Sequence, residues 1–181
     1  MKITFASAIL LIAAVLVSPS TNIFGFETSV FEPTAETPEI DSAVPTDLDE
    51  LFEFLKEGAY KSFVAQESSP HPTRGPHTDL GWPVRVFMDP IINASMAVGN
   101  ESHPVGSSIV KEMYDDKGVL QGWAVMVKTQ DDSAGGKGWF WYETTNTLDA
   151  SDRVAAGNGV QLCQGCHFIG KDFVLTTYPL Q

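Results

Sequence analysis

The sequence predicts a mainly β fold of the α+β class, an antiparallel β-sheet carrying a few short helices. Three observations predict it. From Val84 onward, short runs rich in Val, Ile, Phe, Trp, Tyr and Thr are separated by turn residues. Two of these runs, Trp123 to Val127 and Trp139 to Tyr142, show no polar alternation and read as strands buried on both faces. Upstream, a single stretch has sustained helical spacing. With 181 residues, 43% of them hydrophobic, the chain can fill one ordinary core but not two sizeable ones. Its formal charge of −12 lacks the basic face by which a nucleic-acid binder displaces counterions.

Taken in order, Lys2 precedes an unbroken run of apolar and small residues, Ile3 to Val17, closed by Ser18-Pro19-Ser20. That pattern is a secretory signal peptide over residues 1–20, the alternative being an uncleaved membrane anchor. As a helix the run would rise only about 22 Å against a hydrocarbon core of ~30 Å, so cleavage is expected. The expected location is the periplasm, or another exported compartment. Residues 21–45 hold Glu27, Glu32, Glu36, Glu39 and Asp41 with Pro33, Pro38 and Pro45, and read as an acidic tether. The domain proper is expected over 46–181.

Thr46 offers a helix N-cap, with Asp47, Asp49 and Glu50 in the first turn, where negative charge is favoured. Leu48, Leu51, Phe52, Leu55 and Ala59 follow at helical spacing and predict one amphipathic helix over 47–60. Pro70, Pro72, Pro76 and Pro83 with Gly75 and Gly81 mark 66–82 as a loop. Strands are expected at Val84–Met88, Ser108–Tyr114, Gly122–Thr129, Trp139–Thr144 and Phe173–Tyr178, with a short helix at Ile91–Val98. The second, third and fourth strands are close enough to form successive hairpins.

Both cysteines fall in Cys163-Gln164-Gly165-Cys166-His167. Cys-x-x-Cys-His is the attachment pattern of c-type haem. Two thiols three positions apart can each add to one vinyl group of a haem, and the next imidazole then faces the iron. The expected cofactor is one covalent haem c per chain, bound by Cys163 and Cys166, with His167 as metal ligand. A zinc site would want two further Cys or His at matching spacing, and a thioredoxin-like pair would want a βαβ setting. A disulfide across the small loop is the plain alternative in an exported chain.

A second axial ligand is not evident. His71, His77 and His103 lie in loops, where histidines usually face solvent, and Met88, Met96, Met113 and Met126 read as core filling. The expectation is five-coordinate iron with an open site.

Several segments together resemble the cytochrome P-460 family in order and spacing. They are Val84-Arg85-Val86-Phe87-Met88-Asp89-Pro90, His103 to Glu112, Gly122 to Lys128, the Cys163–His167 motif, and Asp172-Phe173-Val174-Leu175-Thr176. The match runs from about Val84 to the end. The resemblance implies a β-rich monohaem c domain, usually a homodimer, with a proximal histidine and an open distal pocket. Members oxidise hydroxylamine or handle nitric oxide, and the related cytochromes c′-beta bind small gases. It also implies partners: a small ligand or substrate such as hydroxylamine, NO or CO, and an electron-transfer protein.

In hydroxylamine-oxidising members a lysine in a Val-Lys-Glu segment is bonded to the haem edge, and the matching residue is Lys111. The residues give partial support. Ile109, Lys111 and Met113 share one strand face, so the lysine interrupts an apolar row and, desolvated, would be a usable nucleophile. The alternative is that Lys111 snorkels to a sheet edge with Glu112 solvated on the other face, since periodicity does not choose the inward face. Where active members place a distal carboxylate, this chain has Ala124. Glu112 and Glu143 are the nearest carboxylates, and neither is aimed at the iron by sequence. Phe87, Trp123, Trp139 and Trp141 are the expected pocket walls. Two rival functions stand beside redox chemistry at an open site: a six-coordinate electron carrier, and a gas binder without turnover.

Overall fold

A computed structural model describes residues 42–73, 75, 77 and 83–181. The segment expected to be a signal peptide, most of the expected tether and part of the proline-rich loop lie outside the described residues. Among the described residues, no helix is long and apolar enough to cross a membrane.

Helix α1 spans Leu48–Glu57 and is capped by Asp47, not Thr46: the Asp47 carboxylate accepts from the Asp49 and Glu50 amides. Gly58, in the left-handed region at φ 72°, ends the helix, and a 3-10 turn over Ala59–Ser62 completes the stretch expected to be one helix. Leu51, Phe52 and Leu55 are buried, as their spacing requires. Val44, placed in the tether by sequence, is also buried in the core. Helix α2, Pro90–Ala97, falls within one residue of expectation, with proline at its first position and Asp89 as its cap.

Among the described residues the sheet has seven strands, all antiparallel. They are β1 (Ala65–Gln66), β2 (His71–Pro72), β3 (Pro83–Met88), β4 (Ser108–Tyr114), β5 (Leu120–Lys128), β6 (Trp139–Thr144) and β7 (Ala155–Asn158). Their order is β1-β3-β4-β5-β6-β7, with β2 also paired to β3. The loop over 66–82 therefore contributes short strands to the β3 edge. The two expected hairpins, β4–β5 and β5–β6, are present, and both central strands are buried on both faces as their unbroken apolar sequences require.

Two cores result, one on each face. Phe87, Val110, Trp123, Val125 and Phe140 pack under α1 with Tyr60. Val86, Ile109, Met126, Trp139 and Trp141 pack on the reverse with Ile92 of α2 and Val174. This reverse face carries the candidate site.

The expected strand Phe173–Tyr178 does not form. Only Val174 makes an isolated bridge, to Lys171, and Asp172 and Phe173 have φ of 47° and 68°, which no strand accommodates. Val174 is buried while Leu175 and Tyr178 stay exposed, so the segment packs one side chain rather than pairing its backbone.

Glu112 is not solvated at an edge. It sits on the α1 face of a central strand, 1% exposed. Tyr60 donates its hydroxyl to Glu112 Oε1 at 2.6 Å, Tyr114 donates to Oε2, and Lys61 Nζ lies 3.2 Å from Oε1. Trp123 Nε1 donates in turn to the Tyr60 hydroxyl at 3.0 Å. Burial first, then the hydrogen bond to Glu112, pushes both phenols above their ordinary value of 10.0. A group raised in the fold stabilises fully below its unfolded pKa and loses that contribution as pH climbs toward the folded one. The urea midpoint should therefore hold from neutrality to about pH 10 and fall above it. Tyr60→Phe should flatten the fall, and a midpoint unchanged up to about pH 11 would contradict the linkage.

Candidate functional site

Helix α3, Gln161–His167, follows β7 through Gly159 and lies over the reverse face of the sheet. Fewer than two turns long, it buries none of its residues fully. Cys163 is partly buried against the reverse core and Cys166 is exposed; both are free thiols. Their i, i+3 spacing puts both sulfurs on neighbouring turns of one helix. His167 closes the helix.

The His167 imidazole is fixed on several sides. Its Nδ1 donates to the Phe173 carbonyl at 2.8 Å, which leaves the lone pair on Nε2. The Trp141 ring packs against it edge-on at 4.8 Å between centres. Burial, reinforced by His77 and Lys111, pushes His167 down to about 4, against the opposing pull of the Phe173 bond and Glu143. The ring is thus neutral, the form that binds metal. Burial also lifts the Cys163 thiol to about 11, unlike the depressed thiols of Cys-x-x-Cys redox pairs.

The sheet supplies the floor. Lys111 on β4 pairs with Ala124 on β5, and Ala124 pairs with Glu143 on β6, so all three side chains stand in one row on the reverse face. Lys111 faces inward, toward the motif. Burial lowers its pKa, opposed by the carboxylates of Glu143 and Glu67, and among the described residues its ammonium has no hydrogen-bond partner. Glu143 is also aimed inward, contrary to expectation. Its Oε2 accepts from His77 Nδ1 at 2.8 Å, and the His77 ring centre lies 6.0 Å from that of His167.

These groups open onto two adjoining hollows. The smaller, about 380 Å³ including space open to solvent, is lined by Lys111, Ala124, Met126, Glu143, Cys163 and His167 among others. The larger, about 1080 Å³ on the same measure, reaches Cys166, Glu67 and His71. Lys111, His77, His167 and Thr176 belong to both.

Of the expected aromatic walls, Trp141 lines the smaller of these two hollows, and Phe87, Trp123 and Trp139 line neither. Phe87 and Trp123 lie on the α1 face, because their register partners are Val110 and Glu112, not Lys111. Trp139 shares the reverse face but lies deeper, its ring 5.1 Å from Lys128 Nζ. Of the other histidines, His103 is buried and bonded to Ser95, and His71 is tied to Glu67. Among the methionines Met126 lines a hollow, while Met88 and Met113 are core. Sequence reasoning left His77 in solvent. No periodicity reports where a loop side chain goes, and only the pairing of β5 with β6 reveals that Glu143 stands beside Ala124.

The donor set fits a covalent haem. Two free thiols, an imidazole with its Nε2 lone pair exposed to a hollow, and an adjacent amine border the two adjoining hollows. Among the described residues, no cluster of three or more His, Cys, Asp or Glu could hold a bare metal ion. No protein-family model matches the chain, and no curated protein matches it.

Proposed function

We propose that the chain is an exported monohaem c-type cytochrome of the P-460 kind, which binds or oxidises small nitrogen species such as hydroxylamine or NO. The observation that carries the reading is the shared orientation of Lys111, Glu143, Cys163, Cys166 and His167 toward adjoining hollows on one sheet face. Bound there, haem would supply an iron that takes a nitrogen ligand and exchanges single electrons. Cys163 and Cys166 would tether it and His167 would hold its iron. Lys111, desolvated beside it, is the amine available for a bond to the macrocycle. The Glu143–His77 pair stands beside Ala124, where the chain lacks a carboxylate, and would accept the protons that substrate oxidation releases. Ala124, Met126 and Trp141 keep that floor apolar. Release of electrons to a partner protein, pairing of two copies and a periplasmic location belong to the same reading.

His77 also favours a second reading. Its ring lies near that of His167, so in a six-coordinate electron carrier His77 would be the second residue to hold the iron.

Expression with haem-maturation machinery in a bacterial periplasm tests both. The first reading expects one covalent haem by intact mass, CO binding to the ferrous protein, and a red-shifted ferrous band lost in Lys111→Ala. Hydroxylamine-dependent reduction of an added acceptor should fall about 10²–10⁴-fold in Glu143→Gln while CO binding persists. A ferrous protein that refuses CO until His77→Ala is introduced supports the carrier instead. Colourless protein, with both sulfurs free or joined, defeats both.

A further inference from the structure

The last non-helical segment contains a costly arrangement that the haem reading does not use. Asp172 and Phe173 both sit at positive φ, 47° and 68°. Aspartate tolerates that region, whereas phenylalanine rarely adopts it. Two backbone bonds close the turn, Phe173 N to the Gly170 carbonyl at 3.2 Å and Val174 N to the Lys171 carbonyl at 2.9 Å, and the Asp172 carboxylate ties it to the rest of the fold. Its Oδ2 accepts from the His103 amide and from Lys128 Nζ, both at 2.7 Å, and from Ser102 Oγ at 3.3 Å. Its Oδ1 accepts from Ser133 Oγ. Lys128 ends β5 on the reverse face, 1% exposed, with its ammonium also bonded to Ser133 Oγ at 2.5 Å.

A buried ion pair contributes little net stability, and apolar residues would anchor the segment as well. Its output is positional. The residue after Asp172 is Phe173, whose carbonyl accepts the hydrogen bond from His167 Nδ1. With three segments gripping Asp172, that carbonyl is held still.

We propose that Lys128 and Asp172 are positioning residues for His167, fixing through the Phe173 carbonyl which ring nitrogen carries the proton and which presents its lone pair to the hollow. The importance of this for iron ligation rests on the proposed function; the tautomer itself does not. A ligating imidazole anchored through its other nitrogen keeps its orientation and gains basicity.

The experiment measures the His167 tautomer by long-range proton–nitrogen NMR on the full chain made without haem-maturation machinery. Wild type should show Nδ1–H over Nε2–H by at least tenfold. Asp172→Asn, which keeps the shape but removes the charge, should cut that ratio at least fivefold. Should Asp172→Asn fail to fold, Ser133→Ala, which removes one hydroxyl from the same carboxylate, should lower the ratio in the same direction. Wild type with Nε2–H dominant, or a ratio unmoved in a folded variant, overturns the proposal. The two readings fail separately: a chain that takes no haem in the periplasm but shows the Asp172-dependent tautomer defeats only the cytochrome. A haem-loaded protein whose unloaded tautomer ignores Asp172 defeats only the positioning role.

Discussion

Gly122→Ala should lower the melting temperature by about 10 °C or more, a loss of roughly 3 kcal/mol or greater. A methyl group there would stand 1.9 Å from the Thr144 carbonyl oxygen and 2.8 Å from the Thr145 Cα, both backbone atoms. The obstacle has little room to retreat. Thr144 is fully buried, and its hydroxyl donates to the Asp152 carbonyl at 2.5 Å and accepts from the Asn146 amide at 3.1 Å. The clash must therefore separate β5 from the end of β6 or break that turn. Against a total stability of about 5–15 kcal/mol for an ordinary domain, the loss is large. Glu143 precedes Thr144, so the same displacement would disturb the candidate site. Thermal denaturation followed by circular dichroism checks it, and an unmoved transition would mean the Thr144–Thr145 turn yields freely.

On the proposed cytochrome reading, replacing both cysteines by serine should remove covalent haem altogether, and the single variants should separate attachment from folding. Cys166 is exposed, so Cys166→Ser should leave the stability of the unloaded chain within about 0.5 kcal/mol of wild type. It should still cost one thioether bond after maturation. Cys163 packs partly against the reverse core, so Cys163→Ser should add a destabilisation of about 1 kcal/mol through an ill-placed hydroxyl. Denaturing gels stained for haem, intact mass and unloaded melting curves read these effects. Undiminished covalent pigment in the double variant would overturn the role assigned to the motif.

The parts of the fold that were legible in the sequence are those where side-chain type and spacing decide the structure alone. The runs at β4, β5 and β6 are such a case, and so is the apolar stripe of α1. Elsewhere the deciding term was tertiary. Phe173–Tyr178 has strand-like composition, but the backbone at Asp172 and Phe173 is bent by a buried carboxylate whose partners are 39 or more residues away. β7 reads Ala-Ala-Gly-Asn, with little strand propensity, and forms because the β6 edge offers it hydrogen bonds. For the candidate site, Cys163, Cys166 and His167 were readable because their chemistry is local. The inward face of Lys111 and the approach of Glu143 were not, because a period of two leaves the buried side undetermined until neighbouring strands are set in register. The same ambiguity put Phe87 and Trp123 on the wrong side.

The contrast between α3 and β5 has a consequence for maturation. α3 buries none of its residues, whereas β5 is covered by side chains above and below. Amide protons of β5 should be among the last to exchange with deuterated solvent, and those of α3 among the first. On the proposed cytochrome reading, the short helix would lift away to present its sulfurs for haem attachment while the floor beneath keeps its shape, ready for the helix to settle back.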